Sequence, residues 1–234
     1  MRARIVAVLL ACAMPLAGCA DVAGSQAPFR FAGLAGKAPE PHAMPRLRWS
    51  HRDEGTQWTA ATMDALATHG AALPATVPAD ISEWCPGYAT ADEFDRRAFW
   101  AGLISSLAWH ESTHRPEAVG GGGKWYGLTQ ILPATARGYG CSVGTGAALK
   151  DGAANLACAV RIMARTVRRD GVVAKGMRGV AADWGPFHSR KKREDMRSWV
   201  AQQPYCAAPD DGARISTKGA LLEAAPRPEP RAGH

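Results

Sequence analysis

The sequence predicts a mainly α protein, and three observations carry that reading. Along Trp100 to Glu111, a turn of about 100° per residue puts Trp100, Ile104, Leu107 and Glu111 within about 60° of one another. A second stripe, Leu156, Val160, Met163 and Val167, keeps the spacing i, i+4, i+7 and i+11 of an amphipathic helix. No internal repeat and no sustained alternation of apolar and polar residues suggests a sheet. The 234 residues suffice for one sizeable core rather than two, and the single folded domain is expected at 50–206.

At the N-terminus, Arg2 and Arg4 precede an apolar run from Ile5 to Leu16, too short to span a bilayer. The run ends in Leu16-Ala17-Gly18-Cys19, which resembles a bacterial lipoprotein signal. The resemblance implies removal of residues 1–18 and a lipid on Cys19. An ordinary secretory signal is the alternative, and both take the mature chain out of the cytoplasm. The net charge of +7 favours acidic partners, but export removes nucleic acid from that set and leaves an anionic wall polymer or lipid. Ala20 after Cys19 leans towards the periplasmic face of the outer membrane, with Asp21 weakening the inference.

Residues 19–49, broken by Pro28, Gly33, Gly36, Pro39, Pro41 and Pro45, read as a flexible linker. A helix is expected over 57–69, with Trp58, Met63 and Leu66 inward and Gly70 as its stop. Residues 71–90 contain three prolines and read as loop, anchored by Ile81 and Trp84. Asp92 can cap the central helix, expected over 93–114, and Pro116 stops it. Gly120 to Gly123 form a bent or mobile segment. Pro133 opens a short helix over 134–137. Asp151 can cap a long helix over 152–169 that Gly171 ends. A short helix is expected near 177–183, then a last one over 192–202 carrying Met196, Trp199 and Val200. Residues 207–234 have the composition of a disordered tail.

Of six cysteines, Cys12 lies in the signal and Cys19 would carry lipid. The remaining four, in an oxidising compartment, imply two disulfides with three possible connectivities. Cys141–Cys158 and Cys85–Cys206 are favoured: the first closes a short loop worth about 3 kcal/mol, and the second ties the ends of the domain together. No CxxC pair suggests a structural zinc.

Two motifs meet at Glu111. His110-Glu111-Ser112-Thr113-His114 satisfies HExxH, in which two histidines one turn apart hold zinc and the glutamate activates water. Against a zinc peptidase, Pro116 ends the helix at once, no third ligand is evident, and His110 falls off the apolar stripe, where it is expected to face solvent. The second motif is longer. Glu111-Ser112-Thr113-His114-Arg115-Pro116-Glu117-Ala118 is followed by Gly127-Leu128-Thr129-Gln130-Ile131-Leu132-Pro133-Ala134-Thr135-Ala136. This resembles the soluble lytic transglycosylase family, which reads E-S-x-aromatic-x-P-x-A and then G-L-M-Q-hydrophobic-hydrophobic-P-x-T-A. Asn155-Leu156 resembles the family's later N-I segment, and the likeness extends over about 95–200.

The resemblance implies a single lysozyme-like helical domain that cleaves peptidoglycan between N-acetylmuramic acid and N-acetylglucosamine. One carboxyl group, matched by Glu111, acts as acid and then base. The substrate's own acetamido group assists, and its 6-hydroxyl closes a 1,6-anhydro product. A glutamate at the end of a buried stripe suits this work, because burial raises a carboxyl pKa; the plainer reading is a helix-end residue reaching water. Ser112 and Gln130 match positions that bond around the sugar, with ordinary capping and turn bonding as the alternative. Thr129 and Tyr126 fall in the same candidate binding segment. Trp100, Trp109, Trp125 and Trp184 could stack on sugar rings; Trp125, among glycines, is the best candidate, Trp184 and its neighbour Asp183 are further substrate-binding candidates, and Trp100 reads as core.

Three positions depart from the family pattern. His114 stands where Phe or Tyr is usual, and Thr129 replaces Met. The A-Y-N-A-G segment has its counterpart in Ala181-Ala182-Asp183-Trp184-Gly185, so Ala182 takes the tyrosine position and Asp183 the asparagine. A second carboxylate at Asp183 leaves room for a hydrolytic muramidase, with Asp183 activating water; a helix-end Asp183 and a core Trp184 are the structural alternative. A silent glycan-binding module is a further possibility. Arg190 to Arg193 read as a solvated helix start, with contact to anionic wall peptides as the alternative, and the set Arg161, Arg165, Arg168 and Arg169 reads as a solvated helix face. No metal or cofactor is expected, and the chain is expected to act as a monomer on peptidoglycan strands.

Overall fold

The computed structural model describes residues 42–208. The signal run, Cys19, most of the expected linker and all but the first residues of the expected tail lie outside them. Six α-helices and a two-stranded hairpin are present among the described residues. They are α1 (Gly55–Ala67), α2 (Ala72–Ala75), α3 (Glu93–Ser112), β1 (Val119–Gly120), β2 (Trp125–Tyr126), α4 (Pro133–Gly138), α5 (Gly152–Asp170) and α6 (Arg190–Ala201).

Helix α3 is the centre of the core, and it is buried on every side rather than along one stripe. Every residue from Ala98 to Ala108 is buried, including the serines at 105 and 106 and the glycine at 102, which the wheel had assigned no inward role. Helices α1, α2 and α6 pack around it, and α5 packs against α1. Gly102 is required by close approach: a Cβ there would run into the Tyr205 hydroxyl. Asp92 caps α3 by accepting a 2.9 Å hydrogen bond from the Asp95 N–H, and Asp151 caps α5 through the Ala154 N–H at 2.8 Å, as their positions before apolar runs predict. Gly171 ends α5 in the left-handed conformation.

The core starts earlier than the expected boundary at residue 50. Leu47 and Trp49 are buried, and the Trp49 indole N–H donates to the Thr59 hydroxyl at 2.9 Å. The linker reading of 19–49 is therefore corrected at its last residues: two bulky apolar side chains outweigh the local proline content. Helix α3 also ends two residues before the expected position, because Thr113 and His114 both take positive φ. The segment near 177–183 forms a 3₁₀ turn over Gly179–Ala182 rather than an α-helix, and α6 begins at Arg190 because Ser189 caps it.

Gly121, Gly122, Gly123 and Lys124 form the turn of the hairpin, with Val119 facing Tyr126 and Gly120 facing Trp125. Two-residue strands leave no alternation to read. Both favoured disulfides are present, Cys85–Cys206 and Cys141–Cys158.

Candidate active site

Glu111 sits in the last turn of α3, partly buried. Burial lifts its carboxyl to about 7, against a smaller downward pull from Lys192 of α6. It makes no ion pair among the described residues. A carboxyl group poised there is close to half protonated at neutral pH, the condition a general acid that later serves as base requires.

The loop after α3 is held by bonds that run across the chain. The Ser112 hydroxyl donates to the Leu128 carbonyl at 2.8 Å and to the Ala108 carbonyl at 3.1 Å. Ser112 is buried and fixes the end of α3 to the next loop. The Gln130 amide donates to the carbonyls of Gly127, at 2.9 Å, and Ala118, at 3.1 Å; the turn-bonding alternative describes its NH₂ group. Thr129 is also fully buried. Its N–H and hydroxyl both donate to the Asn155 side-chain oxygen, at 3.0 and 2.7 Å. Ser112 and Thr129, expected to contact substrate, are both buried, with their hydroxyls bonded to protein partners behind the loop.

Asn155 completes this arrangement by donating to the Tyr126 and Leu149 carbonyls at 3.0 Å each. Gly127, at φ 81°, lies directly against it, and a Cβ there would run into both Leu149 and the Asn155 amide. One amide thus organises the loop that carries Gln130.

A small cleft of about 90 Å³ gathers Trp125, Gln130, Asp183 and Trp184, together with Ile131, Leu132, Thr135 and Ile162. Glu111 is not among the residues lining it. Trp125 is exposed and lies over the Gly121 backbone, open to a stacking partner. Trp184 is buried, with its indole N–H donating to the Thr129 carbonyl at 2.9 Å; it is a core aromatic with one edge on the cleft. Tyr126 is half-buried and donates its hydroxyl to the Gly123 carbonyl at 2.6 Å, which pins the glycine turn. Asp183 has its carboxyl pushed up by burial, opposed by a hydrogen bond from Tyr139 at 3.3 Å. Ala182 is exposed, so the phenol closest to this corner is supplied by Tyr139, which no sequence register singled out.

The two histidines of HExxH point to different partners. His110 does not face solvent as expected. Its Nε2 lies 2.7 Å from the Asp195 carboxylate, which also takes a 2.6 Å bond from Arg48. His114 is fully buried, with Nε2 2.9 Å from the Ser105 carbonyl and its ring against those of Trp49, His51 and Trp109. It fills a pocket lined by aromatic rings. Burial holds its imidazole down at about 4, so it stays neutral. Among the described residues, no group of three or more His, Cys, Asp or Glu side chains is arranged to share a metal.

The Arg48–Asp195–His110 cluster and Lys192 were not legible beforehand. They join residues some 85 or more positions apart, and no local pattern encodes such a pairing.

Residues 91–181 match the family model for the transglycosylase SLT domain. The fold is similar to solved structures of Bd0314 DslA. One, a Glu-to-Gln mutant, has a TM-score of 0.65 and 27% identity over 71% of this chain and all of that one. A wild-type form gives 0.64 at the same identity and coverage. No curated protein matches the chain.

Proposed function

We propose that the chain, whose residues 91–181 match the transglycosylase SLT domain model, cleaves the β-1,4 bond between N-acetylmuramic acid and N-acetylglucosamine in peptidoglycan, leaving 1,6-anhydro ends. The observation that carries the reading is Glu111: a partly buried carboxyl group at the end of the central helix, without an ion-pair partner among the described residues and poised near neutrality.

In this scheme protonated Glu111 gives its proton to the bridging oxygen as the bond from the muramic acid anomeric carbon breaks. The positive charge that develops is met by the substrate's acetamido oxygen. Glu111, now a carboxylate, takes the proton from the sugar's 6-hydroxyl as that oxygen closes on the anomeric carbon. The acid is thereby restored, and no water is consumed. Gln130 and Trp125 are the residues of the cleft that meet sugar, one through its amide oxygen and one by stacking. Ser112, Thr129 and Asn155 act as positioning residues behind them.

One observation favours a hydrolytic variant. Asp183 lines the cleft with a raised pKa, and a second carboxylate could activate water instead of the 6-hydroxyl. Digestion of purified peptidoglycan, with mass spectrometry of the released sugar ends, separates the two. Anhydro ends support the lytic reaction, reducing ends the hydrolytic one, and unchanged cleavage by Glu111→Gln overturns both.

The run ending at Cys19 supports a periplasmic, lipid-tethered setting. Labelled fatty acid should be incorporated by the wild-type chain in cells and lost in Cys19→Ala.

A further inference from the structure

The arginines of α5 share one stretch of surface, with Arg161 half-buried and the other three exposed. Arg161, Arg165, Arg168 and Arg169 line a groove of about 480 Å³ together with Tyr139. Arg169 is committed to Asp170 by two 2.8 Å hydrogen bonds. The other three make no ion pair among the described residues and donate no side-chain hydrogen bond to them. Like charges one turn apart destabilise a helix. The helix dipole favours Arg168, in the last turn, but gives no compensation to Arg161 and Arg165 further back.

The groove adjoins the cleft at one hydrogen bond. Tyr139 lines the groove, and its hydroxyl donates to Asp183, which lines the cleft. A polymer held in the cleft can therefore extend over Tyr139 onto the arginines. A peptidoglycan strand carries a short peptide on every muramic acid, and those peptides bear free carboxylates. Guanidinium groups match carboxylates in a two-pronged geometry. A shallow arginine-lined groove beside the cleft lies where the peptide branches of a strand bound in the cleft would fall.

We propose that Arg161, Arg165 and Arg168 form a subsite for the carboxylates of the stem peptides on the bound glycan strand. The assignment rests on the reading of the chain as a peptidoglycan-cleaving enzyme. The subsite would make the protein act on peptide-bearing strands in preference to bare glycan, and its contribution would fall as salt screens the charges.

The test compares the full chain with Arg161→Gln/Arg165→Gln/Arg168→Gln, both carrying Glu111→Gln so that binding is read without cleavage. Each is titrated against insoluble peptidoglycan, the same glycan stripped of peptides by an amidase, and vesicles of phosphatidylethanolamine and phosphatidylglycerol. The triple substitution should weaken binding to intact peptidoglycan about tenfold, the sum of three modest exposed pairs. Binding to stripped glycan should not change. The same triple variant with Glu111 restored should cleave stripped glycan at the wild-type rate. Equal loss on intact and stripped glycan, no loss on either, or loss confined to vesicles would each overturn the subsite. Peptide-dependent binding by a wild-type chain that cleaves nothing would support the subsite and overturn the lytic reading instead.

Discussion

Asn155 accepts two hydrogen bonds from Thr129, one from its N–H at 3.0 Å and one from its hydroxyl at 2.7 Å. The same amide donates to the carbonyls of Tyr126 and Leu149. A residue in the first turn of α5 therefore holds the loop that follows β2, through bonds that are buried except for the part-buried one to Tyr126. This explains why a polar side chain occupies an otherwise apolar face, and why Gly127 beside it has no room for a side chain.

Removing that amide should cost both stability and turnover. In Asn155→Ala the Thr129 N–H and hydroxyl and two carbonyls lose a buried partner, a penalty of about 2–4 kcal/mol. Urea unfolding should give that loss, and cleavage should fall in parallel, because Gln130 and the Thr129 carbonyl that holds Trp184 move with the loop. Asn155→Asp should be poorer than wild type as well, since a carboxylate cannot donate to the two carbonyls.

Glu111→Gln should lower cleavage by about a thousandfold, within the range expected for loss of a general acid. It should also stabilise the protein, and the sign follows from the raised carboxyl pKa of about 7. A carboxyl group whose pKa is higher in the folded state favours folding at low pH, and that advantage is lost as pH rises through the folded value. Above pH 7 the native state bears a poorly solvated carboxylate, and Gln removes it. The gain should be about 1–3 kcal/mol at pH 8 and vanish below about pH 4.5. Thermal unfolding across that range checks it.

His114 makes the opposite contribution to pH dependence. Its imidazole is held at about 4, below the value it has when unfolded. The stability it confers is full above about pH 6.5 and is lost as pH falls through the folded value. His114→Phe keeps an aromatic ring in the same pocket and has no proton to gain. It should change stability by less than about 1.5 kcal/mol at pH 7.5 and flatten the loss between pH 6.5 and 4. An unchanged acid limb in denaturant titrations would show that another group controls it.

The sequence displayed the parts of this protein that are local or repeated along an element. The caps at Asp92 and Asp151, the stop at Gly171, the disulfide pairs and the position of Glu111 were all legible, because each is fixed by residues within a turn or by arithmetic on few candidates. What the sequence hid depends on contacts across the fold. Ser112 and Thr129 look like exposed hydroxyls in a motif, yet both are consumed by partners on other segments. His110 looks solvent-facing on a wheel, yet Asp195 arrives from α6. A wheel also presumes one buried face, whereas α3 is enclosed on all sides.

The two disulfides should separate stability from function. Cys85–Cys206 closes a span of 121 residues and Cys141–Cys158 one of 17. Loop entropy gives about 5 and about 3 kcal/mol respectively, so Cys85→Ser/Cys206→Ser should lower Tm more than Cys141→Ser/Cys158→Ser. Activity should respond in the reverse order. Cys141 follows α4, the element that supplies Thr135 to the cleft, and its N–H donates to the Ala136 carbonyl at 2.9 Å. Cys158 fixes that segment to α5, which carries Ile162 and the arginine face. Releasing this pair frees one wall of the cleft while leaving α3 and Glu111 packed. Below the variant's unfolding temperature, KM for peptidoglycan should rise several-fold with kcat little changed. A matching fall in kcat would place the effect at Glu111 and contradict the assignment of this disulfide to the binding wall.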